Sequence, residues 1–275
     1  RFPIRGICRN NLPRICWLQC GSNIFLEKVR YRSLRSEVLR VTQNGQRAWI
    51  PSMHLTPSSE PTEKNCDMSI RVKICGITRI EDALAAMHFG ASAIGFVFWR
   101  QSARYIAPAT AREIVMALSP FVTTVGVYVD PDPEWVEETA LVAGLNLLQF
   151  HGDEPPEFCR GFSLPYIKAV RVRPGLDLLQ YATRYGGAKG LLLDTYVEDA
   201  PGGTGHVFDW SLIPQNLPLP LILSGGLHTG NVTMAIDQAR PWAVDVSSGV
   251  EASKGIKDAE KIAAFMRGVR TSESL

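Results

Sequence analysis

Eight short apolar runs, most of them rich in β-branched or aromatic residues, recur between residues 70 and 247, with helical stretches between them. They are IRVKI (70–74), AIGFVF (93–98), TTVGVYV (123–129), NLLQF (146–150), YIKAV (166–170), GLLLD (190–194), LILS (221–224) and AVDVS (243–247). Near-continuous apolar strands suit a parallel sheet buried on both faces, and parallel neighbours require long crossover connections. The helical stretches supply them: Ile80–Phe89, Ala109–Leu118, Pro133–Ala143, Pro156–Gly161, Leu176–Tyr185, Trp210–Ile213, Asn231–Gln238 and Asp258–Val269. Eight βα units in about 200 residues predict an α/β fold, a closed (β/α)8 TIM barrel near the lower size limit of that architecture. A doubly wound open sheet is the rival, and it would need a topological switch.

The barrel pattern occupies residues 68–275, and residues 1–67 are different. They carry 11 Lys/Arg against 5 Asp/Glu, a net of +6, whereas the remainder carries 18 against 22, a net of −4. Their end, PSMHLTPSSEPTEKN (51–65), is a Pro/Ser-rich linker-like tract. One reading is a basic arm for nucleic acid or an acidic surface. The expected reading is a poorly ordered or non-native extension, because no aromatic-basic motif accompanies the charge.

Composition limits the classes further. A chain 45% hydrophobic and 20% charged is ordinary for a globular protein. No window approaches the roughly 18 apolar residues of a membrane span, and RFPIRGICRNN lacks the apolar centre of a secretory signal. The six cysteines form no CxxC pair, so neither a zinc knuckle nor a disulfide framework is indicated. A cytoplasmic protein is expected, without membrane or nucleic-acid partner, as a monomer or homodimer.

In a parallel barrel the carboxyl ends of the strands converge on one mouth. Those ends carry Cys75, Arg104 slightly downstream, Asp130, His151, Arg171, Asp194, Ser224-Gly225-Gly226 and Ser247-Ser248-Gly249. The glycines of APGGTG (Gly203, Gly205), of SGG (Gly225, Gly226) and the hydroxyls of SSG (Ser247, Ser248) predict a phosphate site, because small residues expose backbone N–H groups to an anion. A thiolate at Cys75 would act as nucleophile or base, provided nearby positive charge lowers its pKa. Asp194, entering the mouth after three leucines, would keep its proton and serve as acid, or else cap its loop. Arg104 is either a solvated loop arginine or a planar fork that grips a substrate carboxylate, and His151 either lines the site or holds its loop. No metal-ligand spacing appears and no GxGxxG follows a strand, so no metal or cofactor is expected.

Taken together, RVKICGIT, AIGFVF followed by SARYI, VGVYV, LLQFHGDE, IKAV, LLLDT, GGTGHVFDW, LILSGGL and AVDVSSGVE resemble phosphoribosylanthranilate isomerase of tryptophan biosynthesis. The resemblance runs from about Met68 to Arg270, and residues 1–67 lie outside it. It implies an Amadori rearrangement of N-(5-phosphoribosyl)anthranilate to 1-(2-carboxyphenylamino)-1-deoxyribulose 5-phosphate, without cofactor, on a small phosphoribosyl substrate. It implies Cys75 as general base, Asp194 as general acid, Arg104 on the anthranilate carboxylate, and the last loops on the phosphate. Asp245 would hydrogen-bond sugar hydroxyls or support the residues that do. One departure stands out: relatives commonly have proline where this chain has Arg100. The histidine-pathway isomerase of a related aminoaldose is the first alternative, distinguished by an aspartate where Cys75 stands. A phosphate-ligand binder without activity is the second.

Overall fold

The computed structural model describes residues 69–173, 175–195 and 209–272. Its eight barrel strands are β1 Arg71–Cys75, β2 Ala93–Val97, β3 Thr123–Tyr128, β4 Leu147–Phe150, β5 Tyr166–Val172, β6 Leu191–Thr195, β7 Leu221–Leu223 and β8 Ala243–Val246. Each pairs in parallel with the next, and β8 returns to β1 with Arg71 opposite Ala243 and Lys73 opposite Asp245. The sheet therefore closes in chain order, and the open-sheet rival is excluded.

The outer helices are α1 Ile80–His88, α2 Pro108–Ala117, α3 Pro133–Ala143, α4 Pro156–Cys159, α5 Leu178–Arg184, α6 Val232–Ala239 and α7 Ala259–Ser272. Proline opens α2, α3 and α4, where its missing N–H costs nothing and its fixed φ already suits the helix. Helix α7 packs against both α6 and α1. Between β6 and β7 the expected helix is only a 3₁₀ turn, Trp210–Leu212. The structure adds an unanticipated antiparallel hairpin after β8, formed by β9 Glu251–Ser253 and β10 Ile256–Lys257.

The strands alternate between two cores, as a pleated chain must. Outward residues such as Ile74, Ile94, Phe96, Leu148, Phe150 and Leu193 pack into the main hydrophobic cluster with the helices. A second, smaller cluster joins Ile167, Ala169, Leu192, Ile222 and Ala243. Two residues on from Ala243 and Ile222 the same strand parity brings Asp245 and Ser224, and Asp194 follows Leu192 in the same way. The plug of small apolar groups thus gives way to polar ones toward the strand ends. That is where a site can form.

Candidate active site

Strand β1 ends on Cys75, and β6 carries Asp194 one residue before its end. Both are buried, and both line one cavity of about 450 Å³ at the carboxyl ends of the strands. Arg104, His151, Asp245, Gly225, Gly226, Ser247 and Ser248 line it too. Gly203 and Gly205 lie outside the described residues. Arg171 and Asp130 do not line this cavity. Arg171 sits within β5, opposite Asp194 in register, and its Nη2 points to the His151 carbonyl at 3.5 Å. Asp130 instead holds its loop, accepting from the Asp153 N–H at 2.7 Å.

Beneath the thiol lies a buried pair missed by the strand-end reading. Lys73, at the same strand parity as Cys75, donates to Asp245 Oδ1 at 2.7 Å, and Ser224 Oγ donates to Asp245 Oδ2 at 3.1 Å. Burial works against the Lys73 charge, but Asp245 and the Cys75 sulfur, both hydrogen-bonded to it, outweigh burial and hold the ammonium well above its ordinary value. Asp245 thus engages both oxygens with Lys73 and Ser224 while lining the cavity. A lysine two residues before the thiol, inside an otherwise apolar run, was the available clue.

The base role rests on the condition that nearby positive charge lowers the Cys75 pKa, and two opposing influences act on it. Burial pushes the thiol up, and the Asp245 charge adds to that; Lys73 and Lys257 offset only part.

Asp194 sits in a hydrogen-bonded chain rather than an apolar mouth. Thr195 N–H donates to its Oδ1 at 2.8 Å, and His151 Nε2 lies 3.0 Å from its Oδ2. Gln149 Nε2 faces His151 Nδ1 at 3.2 Å. His151 thus bridges Gln149 and Asp194, and the way the Gln149 amide faces sets which ring nitrogen carries the proton. Gln149 Oε1 is buried without a partner in this arrangement. Gly225, at φ +82°, closes the other side: a Cβ there would stand 2.7 Å from Asp194 Oδ1.

Arg104 is already engaged. Its guanidinium makes a two-point ion pair with Glu251, Nε to Oε1 at 2.7 Å and Nη2 to Oε2 at 2.8 Å. Lys257 Nζ donates to Glu251 Oε1 at 2.8 Å. Burial would raise the Glu251 pKa, but Arg104 and Lys257 prevail and hold it below the ordinary carboxylate range. For Lys257 burial prevails, and the ammonium pKa is lowered despite Glu251. Gly76 makes room for Arg104, because a Cβ at its φ of +73° would meet Arg104 Cδ at 2.6 Å. The glycine beside the thiol thus serves the arginine. Neither Glu251 nor Lys257 was legible in advance, since both belong to the unanticipated hairpin.

Arg100, at the position noted for its departure, has its guanidinium 4.7 Å from the Trp135 ring centroid and 5.7 Å from that of Tyr105. Stacking anchors the loop that carries Trp99 and Gln101 into the cavity wall. Among the described residues no group of three or more His, Cys, Asp or Glu is placed to hold a metal ion.

This arrangement offers a thiol and a carboxyl to one ligand, with a cation and glycine-rich strand ends beside them. The family described as PRAI, N-(5'phosphoribosyl)anthranilate (PRA) isomerase, matches residues 72–268. A Nitrosospira multiformis N-(5'-phosphoribosyl)anthranilate isomerase is 79% identical over 208 residues, covering 76% of this chain and 100% of the relative. Among solved structures, phosphoribosyl anthranilate isomerase from Thermotoga maritima superposes with a TM-score of 0.69 at 46% identity, over 74% of this chain and 99% of that one. A second, at 45% identity and TM-score 0.65 over 74% and 99% of the two chains, is a phosphoribosyl anthranilate isomerase in complex with reduced 1-(o-carboxyphenylamino)-1-deoxyribulose 5-phosphate. The chain belongs to the N-(5'-phosphoribosyl)anthranilate isomerase family, the isomerases of tryptophan biosynthesis.

Proposed function

We propose that residues 68–275 catalyse the Amadori rearrangement of N-(5-phosphoribosyl)anthranilate, with Cys75 as base and Asp194 as acid. The observation that carries this is their convergence on one cavity from β1 and β6. Asp194 protonates the ribose ring oxygen, and the ring opens to a Schiff base. Cys75, as thiolate, removes the C2 proton, and the resulting enolamine tautomerises to the aminoketose. Ring opening leaves Asp194 deprotonated and the C2 step leaves Cys75 protonated, so a return of that proton resets both groups before the next turnover. Gly225, Gly226, Ser247 and Ser248 hold the phosphate, and Arg104 the anthranilate carboxylate. The Lys73 ammonium against the Cys75 sulfur stabilises the thiolate that the C2 step requires.

The cysteine at the end of β1 favours the anthranilate substrate over the histidine-pathway aminoaldose. A cytoplasmic monomer or homodimer, acting without nucleic acid or membrane, fits the composition. No described helix is long and apolar enough to cross a membrane. The test is to mix purified chain with N-(5-phosphoribosyl)anthranilate and follow anthranilate fluorescence. It decays if the assignment is right; an unchanged signal, with the histidine-pathway substrate consumed instead, would overturn it.

A further inference from the structure

The proposed function gives Arg104 a carboxylate to hold, and the role of Glu251 rests on that reading. Glu251 fills one edge of the guanidinium, the edge formed by Nε and Nη2. The other edge carries the Nη1 hydrogens and the second Nη2 hydrogen, and among the described residues Nη1 has no hydrogen-bond acceptor. Arg104 therefore offers a ligand one fixed two-point edge rather than a swinging fork.

Glu251 is itself held from several directions. Lys257 Nζ reaches its Oε1 at 2.8 Å, the Gly255 N–H lies 3.4 Å from the same oxygen, and Lys261 Nζ donates to its carbonyl at 2.7 Å. Lys257 also donates to the Ser247 carbonyl at 3.1 Å, and Ser247 Oγ donates to the Cys75 carbonyl at 3.0 Å. One brace thus ties the arginine to the strand ends bearing the base and the phosphate loop. Its charges leave an excess of one: Arg104 and Lys257 against Glu251. A single ligand carboxylate would neutralise it.

We propose that Glu251 is a positioning residue for substrate recognition. By occupying one edge of Arg104, with Lys257 as buttress, it fixes the guanidinium plane and leaves the free edge for the ortho-carboxylate of an arylamine sugar phosphate. A ligand without that carboxylate gains nothing from the brace.

The test uses the full chain as wild type, Glu251→Gln, Arg104→Ala and the double variant. Binding of reduced 1-(o-carboxyphenylamino)-1-deoxyribulose 5-phosphate and of inorganic phosphate is measured by calorimetry. Glu251→Gln weakens the analogue about tenfold, as loss of an oriented charge-assisted bond should, and raises KM with little change in kcat. It has no further effect once Arg104 is alanine, since both changes remove one interaction. Phosphate binding is the same in all four proteins. Should Glu251→Gln fail to fold, Glu251→Asp keeps the charge, shortens the reach and shows the same loss. Unchanged analogue affinity in Glu251→Gln, or losses that simply add in the double variant, overturn the proposal. Wild type that binds no analogue overturns the isomerase reading, and this proposal with it.

Discussion

At the scale of the residue, the Cys75 thiol has competing neighbours. Burial and Asp245 raise its pKa, while Lys73, Lys257 and, more distantly, Arg104 favour its thiolate. The base form accumulates as pH rises, so kcat/KM should climb through an alkaline limb above the ordinary thiol range. Removing the Lys73 charge should move that limb higher still, read from the pH dependence of Cys75 alkylation in a Lys73→Met variant; a downward move would contradict the assignment. The same substitution strands the buried Asp245 carboxylate, and loss of one partner of a buried pair costs about 3–5 kcal/mol in chemical denaturation. Cys75 and Asp194 were legible as strand-end residues because the barrel places such ends at its mouth. The raised thiol pKa was not, since it comes first from burial and then from the balance between Lys73 and an aspartate 172 residues from it.

At the scale of the element, the loop after β4 is organised by a buried charge outside the cavity. Lys168 Nζ and Glu154 Oε2 lie 3.1 Å apart with side chains 0% and 2% exposed. Glu154 also accepts the Asp130 and Gly152 N–H groups, so it clamps the turn immediately following His151. Lys168→Met should lower stability by about 3–5 kcal/mol, because it leaves a buried carboxylate unpaired, and urea denaturation reads the loss. A cost below about 1 kcal/mol would show that the loop re-forms without the pair. Lys168 lay in plain view inside YIKAV, but its partner comes from the next turn back and no spacing rule links them. The strands and most helices were legible from apolar periodicity alone. The hairpin β9–β10 was not, because its two short strands bear polar residues and gain their purpose only through Glu251 and Lys257.

At the scale of the whole molecule, the family match covers residues 72–268, and a relative covered in full matches over 208 residues, the length of 68–275, while residues 1–67 stand apart in charge and pattern. A chain beginning at Met68 should therefore match the full chain in kcat/KM, measured by the same fluorescence decay. A large loss would assign the basic segment a part in catalysis. The closed order of strands was legible because eight βα units leave few other ways to bury both faces of a parallel sheet.

The most direct measurement is turnover of Cys75→Ala and Asp194→Asn beside wild type under saturating N-(5-phosphoribosyl)anthranilate. Each should lose about 100-fold or more in kcat, the usual contribution of a positioned acid or base, with the fold intact by circular dichroism. Wild-type turnover in either variant would mean that the proton moves through some other group.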